Sequence, residues 1–339
     1  MPIFVHSGFI IFTSMHKAKF IIISIAFSLT FVFSECKKSD KENLNIETIQ
    51  VDNDSYLRSV YYVNDSLAFA CGGKRDLEGY IYKTINGGIS WSKTTVDKPR
   101  CMYDIHFLND SVGFAGGDFL YLLITTDGGQ NWEHFPYKFE ELPFHEQNRP
   151  AIKKFSFSNA GKGYFVGGED YNKGVIYQTY DNGTSWSFDT LHQEINFISS
   201  KENNAWAAGF GYIGKVTAGS FEQLSLTNDV FTSILELEDQ SIITTSNTGG
   251  VYKSYDSGTN WTTILKKKGA FSKRVSYNGI AFNGNRGIII TDYNLLISED
   301  YGDNWKEVNY DSDYKLTSIT TLSNIFYVST EGGNILKIK

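Results

Sequence analysis

The side chains that could do chemistry in this sequence are numerous, but they are not gathered into a catalytic motif. The six histidines show no metal-ligand spacing, and no glycine-rich phosphate loop opens a helix. Six arginines could bring three guanidinium groups to one carboxylate, and loop acids could form the carboxylate pair, roughly 5–9.5 Å apart, of glycoside hydrolysis. Nothing in the sequence selects three arginines or two acids. Catalysis is therefore the alternative hypothesis, with no metal or other cofactor expected.

One pattern does recur: Ser/Thr-x-Asp/Asn-x-Gly-x-x-Trp occurs five times and is called the box below. Its acidic or amide side chain can accept hydrogen bonds from turn amides, the hydroxyl can satisfy another, and glycine tolerates a positive φ. Its tryptophan is a large apolar plate that can clamp the turn against neighbouring strands. Five equivalent turns around a ring cannot all line one pocket, so we interpret the boxes as structural. Their Asp/Asn and Trp residues are Asn86, Trp91, Asp127, Trp132, Asp181, Trp186, Asp256, Trp261, Asp300 and Trp305.

The elements that position these turns are strands, because the repeat extends well beyond the box. Residues 57–73 align with residues 102–117, and residues 155–168 are a third copy. Each copy predicts two strands around a polar turn, a third strand leading into the box and a fourth beginning at its Trp. Successive box tryptophans are 41, 54, 75 and 44 residues apart, and the longest step is two units with one box missing. Periods of about 40–50 residues with four short strands are typical of propeller blades.

The count of units is seven. The last unit has three strands, and residues 43–51 form a lone strand ahead of the first unit, so this strand is predicted to close the last blade. The prediction is an all-β, seven-bladed β-propeller of four-stranded antiparallel blades over residues 43–339. The innermost strands are expected to begin near Leu57, Met102, Lys153, Ile195, Phe231, Gly279 and Leu316.

The boxes resemble the Asp-box, or bacterial neuraminidase, repeat. The fuller unit, with its Gly-Gly pair after the second strand, is similar to the photosystem II stability and assembly factor family of seven-bladed propellers. This resemblance implies a non-catalytic scaffold or assembly factor that binds protein, without implying a photosynthetic role. The alternative is a carbohydrate-active propeller, either a glycoside hydrolase or a glycan-binding protein like the sialidases. The Arg-Ile-Pro signature of sialidases is absent from the sequence.

The N-terminal residues predict export and lipid anchoring. The uncharged segment 20–33 follows a short basic region, is too short for a membrane span and is typical of a signal peptide. Cys36 comes shortly after it, and this arrangement resembles a bacterial lipoprotein signal, whose two acyl chains anchor a soluble domain stably. We predict a signal peptide over residues 1–35, with Met15 as the true start, and an anchor and linker over residues 36–42. The expected location is the outer membrane or cell surface of a Gram-negative bacterium.

A ligand surface is expected on the propeller face opposite the boxes, which carries the loops between second and third strands and between blades. Mixed charge and aromatic side chains there suit a protein or an extracellular glycan. The net charge of −7 offers no excess of basic side chains for phosphate groups, so we do not expect binding to nucleic acid. We expect a monomer that contacts the membrane through its lipid alone. The candidate partner-binding residues are Arg75, Asp76, Glu78, Asp118, Tyr121, His145, Glu146, Arg149, Glu169, Asp170, Tyr171 and Lys173.

Overall fold

The computed structural model describes residues 43–98, 100–135, 149–158, 161–217, 220–224, 229–266 and 275–339. These ranges belong to one compact unit, Lys41–Lys339. The predicted signal peptide, Cys36, His145 and Glu146 lie outside the described residues. Within the described ranges, no helix has the length and apolarity needed to cross a membrane.

The chain forms seven four-stranded antiparallel sheets. Within the described ranges, the strands are interrupted by one 3-10 turn, Asp118–Leu120. The strands are β1 (Ile46–Gln50), β2 (Leu57–Tyr62), β3 (Ala68–Lys74), β4 (Glu78–Thr84), β5 (Ser92–Thr95), β6 (Met102–Phe107), β7 (Gly113–Gly117), β8 (Tyr121–Thr125), β9 (Glu133–His134), β10 (Ala151–Phe157), β11 (Gly163–Glu169), β12 (Lys173–Thr179), β13 (Ser187–Leu191), β14 (Ile195–Lys201), β15 (Asn204–Gly209), β16 (Tyr212–Thr217), β17 (Ser220–Leu224), β18 (Phe231–Glu236), β19 (Ile242–Ser246), β20 (Gly250–Ser254), β21 (Thr262–Lys266), β22 (Gly279–Asn283), β23 (Arg286–Ile290), β24 (Asn294–Ser298), β25 (Lys306–Asp311), β26 (Leu316–Leu322), β27 (Ile325–Thr330) and β28 (Asn334–Ile338).

The sheets are the blades of a propeller, and the predicted fold is confirmed. Blades 1 to 6 each take four consecutive strands, from β2–β5 to β22–β25, and blade 7 has the order β26-β27-β28-β1. The N-terminal strand therefore completes the last blade, with Ile46 opposite Ile338 and Gln50 opposite Asn334. Six innermost strands begin at the predicted residue, and the third begins at Ala151, two residues earlier than expected.

The hydrophobic core is divided among the spaces between neighbouring blades. Ile290 of β23 and Val328 of β27 belong to one buried cluster, which joins blades 6 and 7. Phe69 of blade 1 stacks on Phe107 of blade 2, with ring centroids 3.8 Å apart. Because each cluster draws on two blades, a single blade could not bury its apolar surface alone.

Each of six innermost strands contains a β-bulge near its start, after the first residue in five strands and after the second residue, Ile152, in β10. The register shifts by one residue there, which leaves one extra residue on the inner strand unpaired. The preceding residue is a buried apolar side chain in every case. The bulges turn the extra residue toward the propeller axis, and these residues are Arg58, Tyr103, Lys153, Asn196, Thr232 and Thr317.

The two faces of the propeller are fixed by backbone hydrogen bonds. On the box face, the box turns bond to the turns between first and second strands: the amide of Gly128 donates to the carbonyl of Ser111 at 2.8 Å. On the hairpin face, the loops between second and third strands meet the connections between blades. There the amide of Glu194 donates to the carbonyl of Tyr171 at 3.1 Å.

The second box illustrates how these turns are held. The Thr125 hydroxyl donates to a carboxylate oxygen of Asp127 at 2.9 Å and accepts from the amide of Gly129 at 2.8 Å. The amide and side chain of Asn131 both donate to Asp127, which lowers the pKa of that carboxyl to about 2. In the first box, Asn86 replaces the aspartate and accepts the corresponding backbone amide bond without a charge.

The cysteines Cys71 and Cys101 are both buried and free. The Cys101 thiol donates to the carbonyl of Gly73 at 3.3 Å. Burial raises the pKa of both thiols, so neither has the character of a reactive thiolate.

Candidate functional site

The hairpin face is unusual in blades 1 to 3, where residues other than glycine adopt positive φ angles. These residues are Asp76 (60°), Phe119 (58°), Leu120 (56°), Asp170 (54°) and Tyr171 (61°). The equivalent loops of blades 4, 5 and 7 place glycine in this conformation instead, at Gly211, Gly249 and Gly333. A left-handed residue with a side chain is strained, and such strain collects at binding and active sites. Left-handed residues with side chains also occur in turns of the box face, at Asn182, Glu202, Gln240, Ser257, Tyr301 and Ser323. The conformation therefore distinguishes the hairpins of blades 1 to 3 from the other hairpins of their own face, and we take them as the candidate site because they also carry exposed side chains.

Arg75 ties these three hairpins together. Its Nη2 atom lies 2.7 Å from a carboxylate oxygen of Glu169 in blade 3, and its Nε atom lies 3.8 Å from Asp118 in blade 2. The hydrogen bond to Glu169 raises the pKa of the guanidinium further. Three of the predicted site residues, from three blades, thus form one network that is called the clasp below.

Asp118 and Tyr121 lie deeper than expected. Asp118 is buried and accepts hydrogen bonds from the Cys101 amide at 2.9 Å and the Tyr103 hydroxyl at 3.0 Å. Its burial raises the pKa of its carboxyl, against the effect of those bonds. Tyr121 opens β8 as a buried residue, and its hydroxyl donates to Asp97. Neither side chain offers a surface for direct contact with a large partner.

Apolar side chains stand exposed beside the clasp. Leu77 is 70% exposed at the tip of the first hairpin, and Tyr171 is 65% exposed at the tip of the third. The Tyr171 ring packs against that of Phe210 in blade 4, with centroids 4.8 Å apart. Asp170 and Lys173 form an ion pair of 3.0 Å in the same hairpin. Exposed aromatic and aliphatic side chains next to charge are typical of the centre of a protein interface.

The other predicted site residues that the structure describes are not part of the clasp. Asp76 and Glu78 are exposed and flank Leu77. Arg149 lies in the connection between blades 2 and 3 and has an interaction partner. Among the described residues, no group of three His, Cys, Asp or Glu side chains is arranged to hold a metal ion.

The mouth of the axial channel, a cavity of about 360 Å³ at the hairpin end of the innermost strands, was not predicted from the sequence. In four of the six bulged strands, an apolar residue is followed by two residues that line the cavity, as in Met102-Tyr103-Asp104. Such a triplet is indistinguishable from ordinary strand alternation unless the bulge is known. The cavity is lined by the bulge residues Arg58, Tyr103, Lys153, Asn196, Thr232 and Thr317 and by Asp104, Lys154, Phe197, Asn278, Gly279, Ile280, Lys315, Leu316, Ser318, Ile319 and Glu331.

Ion pairs surround this mouth. Arg58 lies 3.2 Å from Glu331, Lys154 lies 3.0 Å from Asp104, and Lys315 lies 3.5 Å from Asp292. Lys153 pairs with Glu194 and also donates to Asn196 at 3.1 Å. Asp104 is 2% exposed and is further held by the hydroxyl of Ser59 at 2.7 Å. These contacts hold charged side chains from five different blades at fixed positions around the axis.

A second cavity, of about 310 Å³, continues the channel toward the box face. The two cavities share Lys154, Phe197, Ile280 and Ile319. The three apolar side chains of this set, at the junction of the two cavities, are called the throat below. On the innermost strand of blade 2, His106 stacks on the Phe157 ring and lies against the tilted ring of Tyr61. Burial lowers the pKa of this histidine to about 4, so it is neutral at physiological pH.

A family model described as photosynthesis system II assembly factor YCF48 matches residues 85–194, less than half of the chain. No curated protein sequence matches the chain. Among solved structures, YCF48 bound to a D1 peptide is 19% identical, with a TM-score of 0.70 over 88% of this chain and 99% of that one. YCF48 from Cyanidioschyzon merolae is 17% identical, with a TM-score of 0.67 over 86% and 98%.

The same fold is found in an enzyme. Virginiamycin B lyase from Staphylococcus aureus is 13% identical, with a TM-score of 0.68 over 88% of this chain and 99% of that one. At these identities the likeness establishes the fold, a propeller of neuraminidase-type repeats that resembles the photosystem II assembly factor. The fold alone does not decide between binding and catalysis, because both occur on it.

Proposed function

We propose that this protein is a non-catalytic scaffold or assembly factor that binds a partner protein across the hairpin face of blades 1 to 3. The observation that carries this proposal is the strained set of hairpins that presents Leu77 and Tyr171 to solvent. A left-handed backbone at a residue other than glycine costs about 1–3 kcal/mol, and it persists only where the surrounding structure holds it in place. The clasp supplies that support, since Arg75 joins the three hairpins.

The comparison with YCF48 supports the proposal. A propeller of this architecture binds a peptide of D1, so the fold can present a surface for a polypeptide segment. For this chain the proposed partner is an envelope protein, and no photosynthetic role is included.

The proposed setting is the cell envelope. The signal-like residues 1–35 and Cys36 support export and a lipid anchor on the outer membrane or cell surface of a Gram-negative bacterium. The propeller would act there as a monomer, tethered through residues 36–42.

A glycan is the second candidate partner, and the exposed Tyr171–Phe210 pair favours it. Paired aromatic rings beside the Asp170–Lys173 ion pair could also stack on a sugar and bond to its hydroxyls. A glycoside hydrolase would in addition need two carboxyls at a suitable separation around such a sugar.

Site-specific photo-crosslinking tests the proposal. A photoreactive phenylalanine analogue replaces Leu77 or Tyr171 on the hairpin face, and Ile89 on the box face is the matched control because it is 87% exposed. In cells, the first two positions should capture the same protein, and position 89 should not. Equal capture from all three positions, or capture from position 89 alone, would contradict the proposed face. If the protein instead binds soluble glycans, and Tyr171→Ala abolishes that binding, the partner of this face is a glycan and not a protein.

A further inference from the structure

We propose that the channel mouth is a binding subsite for a carboxylate whose apolar neighbour enters the throat. The subsite lies in the axial cavity and not on the exposed hairpins. It rests on the proposed function only in so far as both sites open on the hairpin face. The carboxylate could belong to a free small acid or to the end of a polypeptide chain, and the experiment below distinguishes these sources.

The first observation is the orientation of the ion pairs. The cavity is lined by four cationic side chains, Arg58, Lys153, Lys154 and Lys315, and by two carboxylates, Asp104 and Glu331. The acids that pair with Lys153 and Lys315 are not lining residues, so these two pairs turn their positive ends toward the cavity. Even an electroneutral set of pairs then presents a positive potential to a bound group.

The second observation is hydrogen-bonding capacity that the fold leaves unused. Arg58 meets Glu331 through its Nη1 atom at 3.2 Å, and its side chain is 33% exposed, so its guanidinium has further N–H donors within reach of the cavity. Lys315 reaches Asp292 only at 3.5 Å, a long contact for an ammonium with three donors. A carboxylate at the mouth could accept from both side chains, because each lines the cavity.

The third observation is the change of polarity along the axis. Below the cationic mouth, Phe197, Ile280 and Ile319 line both cavities. The Lys154 ammonium lies 5.6 Å from the centroid of the Phe197 ring, at the boundary between the charged and apolar parts. A ligand with a carboxylate and a short branched apolar group matches this sequence of surfaces, whereas a cation or a fully polar anion does not.

The test is a ligand-observed NMR titration of the full chain with two acids and their uncharged amides. The probes are 4-methylpentanoate with 4-methylpentanamide, and N-acetylleucine with N-acetylleucinamide. We expect the acids to bind and the amides not to bind. Equal affinity for both acids would show that a free small acid is sufficient for binding. Binding of N-acetylleucine alone would show that the site recognises the end of a polypeptide chain. No detectable binding of either acid, or equal binding of acids and amides, would overturn the proposal.

Variants locate the site. Lys315→Gln should weaken acid binding about tenfold, the loss expected for one charge-assisted hydrogen bond, and Lys315→Arg should largely restore it. Lys93→Gln is the matched control, because Lys93 is also a partly exposed lysine, ion-paired with Asp52 at 3.3 Å, but does not line the cavity. If both glutamine variants weaken binding equally, the acids bind by general surface charge and the subsite is refuted. The titration uses no partner protein, so its failure is separate from failure of the crosslinking experiment.

Discussion

The indole N–H groups of the boxes distinguish otherwise equivalent tryptophans. Trp186 donates to the carbonyl of Gly183 in its own box at 3.1 Å. Trp132 occupies the same position in the second box, yet its Nε1 is buried and has no acceptor among the described residues. Both rings make edge-on contacts: Trp132 with Phe107 at 5.9 Å and Trp186 with Phe114 at 6.1 Å. Trp186 also contacts the rings of Phe157 at 5.9 Å and Phe165 at 4.8 Å, so the two sites differ in these ring contacts as well as in one hydrogen bond.

Replacing either tryptophan by alanine should lower the free energy of unfolding by about 4–5 kcal/mol. Each residue is mostly buried, which corresponds to roughly 150 Å² of apolar area at about 25 cal/mol per Å², or ~4 kcal/mol. The edge-on aromatic contact adds about 0.5–1.5 kcal/mol. A structural role also requires that partner binding be kept by both alanine variants at temperatures where the fold persists.

Replacement by phenylalanine separates the two sites. Trp186→Phe removes a hydrogen bond and leaves the Gly183 carbonyl without its donor, whereas Trp132→Phe removes a donor that has no acceptor. Trp186→Phe should therefore cost about 1 kcal/mol more than Trp132→Phe. Urea denaturation, followed by the fluorescence of the remaining tryptophans, measures both. If Trp132→Phe costs as much as Trp186→Phe, the indole N–H does not decide the difference, and the reasoning is refuted.

Three further outcomes are expected. Deleting residues 43–51 should lower the free energy of unfolding by about 3 kcal/mol or more, because two partly buried isoleucines and the strand pairing are lost. Glu47→Ala is the control and should leave the melting temperature nearly unchanged. A deletion variant that melts at the same temperature as the intact protein would refute closure by β1. The pKa of Asp127 is lowered to about 2, so the stability that its charge contributes is complete above the ordinary pKa of 3.8 and is lost as the pH falls toward 2. Asp127→Asn should therefore make the free energy of unfolding depend less on pH between these values. An unchanged pH dependence would show that this carboxylate does not contribute to acid denaturation. Cys36→Ser should release the protein from membranes, as fractionation would show, and continued membrane association would reject the lipid anchor.

Much of the fold could be predicted because its signals are local and repeated. The box needs an acceptor, a glycine and a tryptophan within eight residues, and five copies fix the blade period. Closure was predictable by counting, since a unit of three strands at one end matches a lone strand at the other. These inferences require no knowledge of which side chains meet across the ring.

The site was predicted less completely because its contacts join distant residues. Arg75 and Glu169 are 94 residues apart, and no local pattern connects them. Tyr121 was expected on a loop, but the left-handed turn at Phe119 and Leu120 brings it into the core at the start of β8. The channel mouth was missed because a β-bulge shifts the register without leaving a mark in residue type.

Closure of the ring has a consequence for folding kinetics. Most strand pairs join neighbours in the sequence, but β1 meets β28 across almost the whole chain, as the bond between Lys339 and Glu47, 292 residues apart, illustrates. Joining the ends of an unstructured loop of that length would cost about 5 kcal/mol in entropy. Blades that have already formed bring the ends together and remove most of that cost. The seam between β1 and β28 is therefore expected to form last, as the slow, topology-limited step of folding.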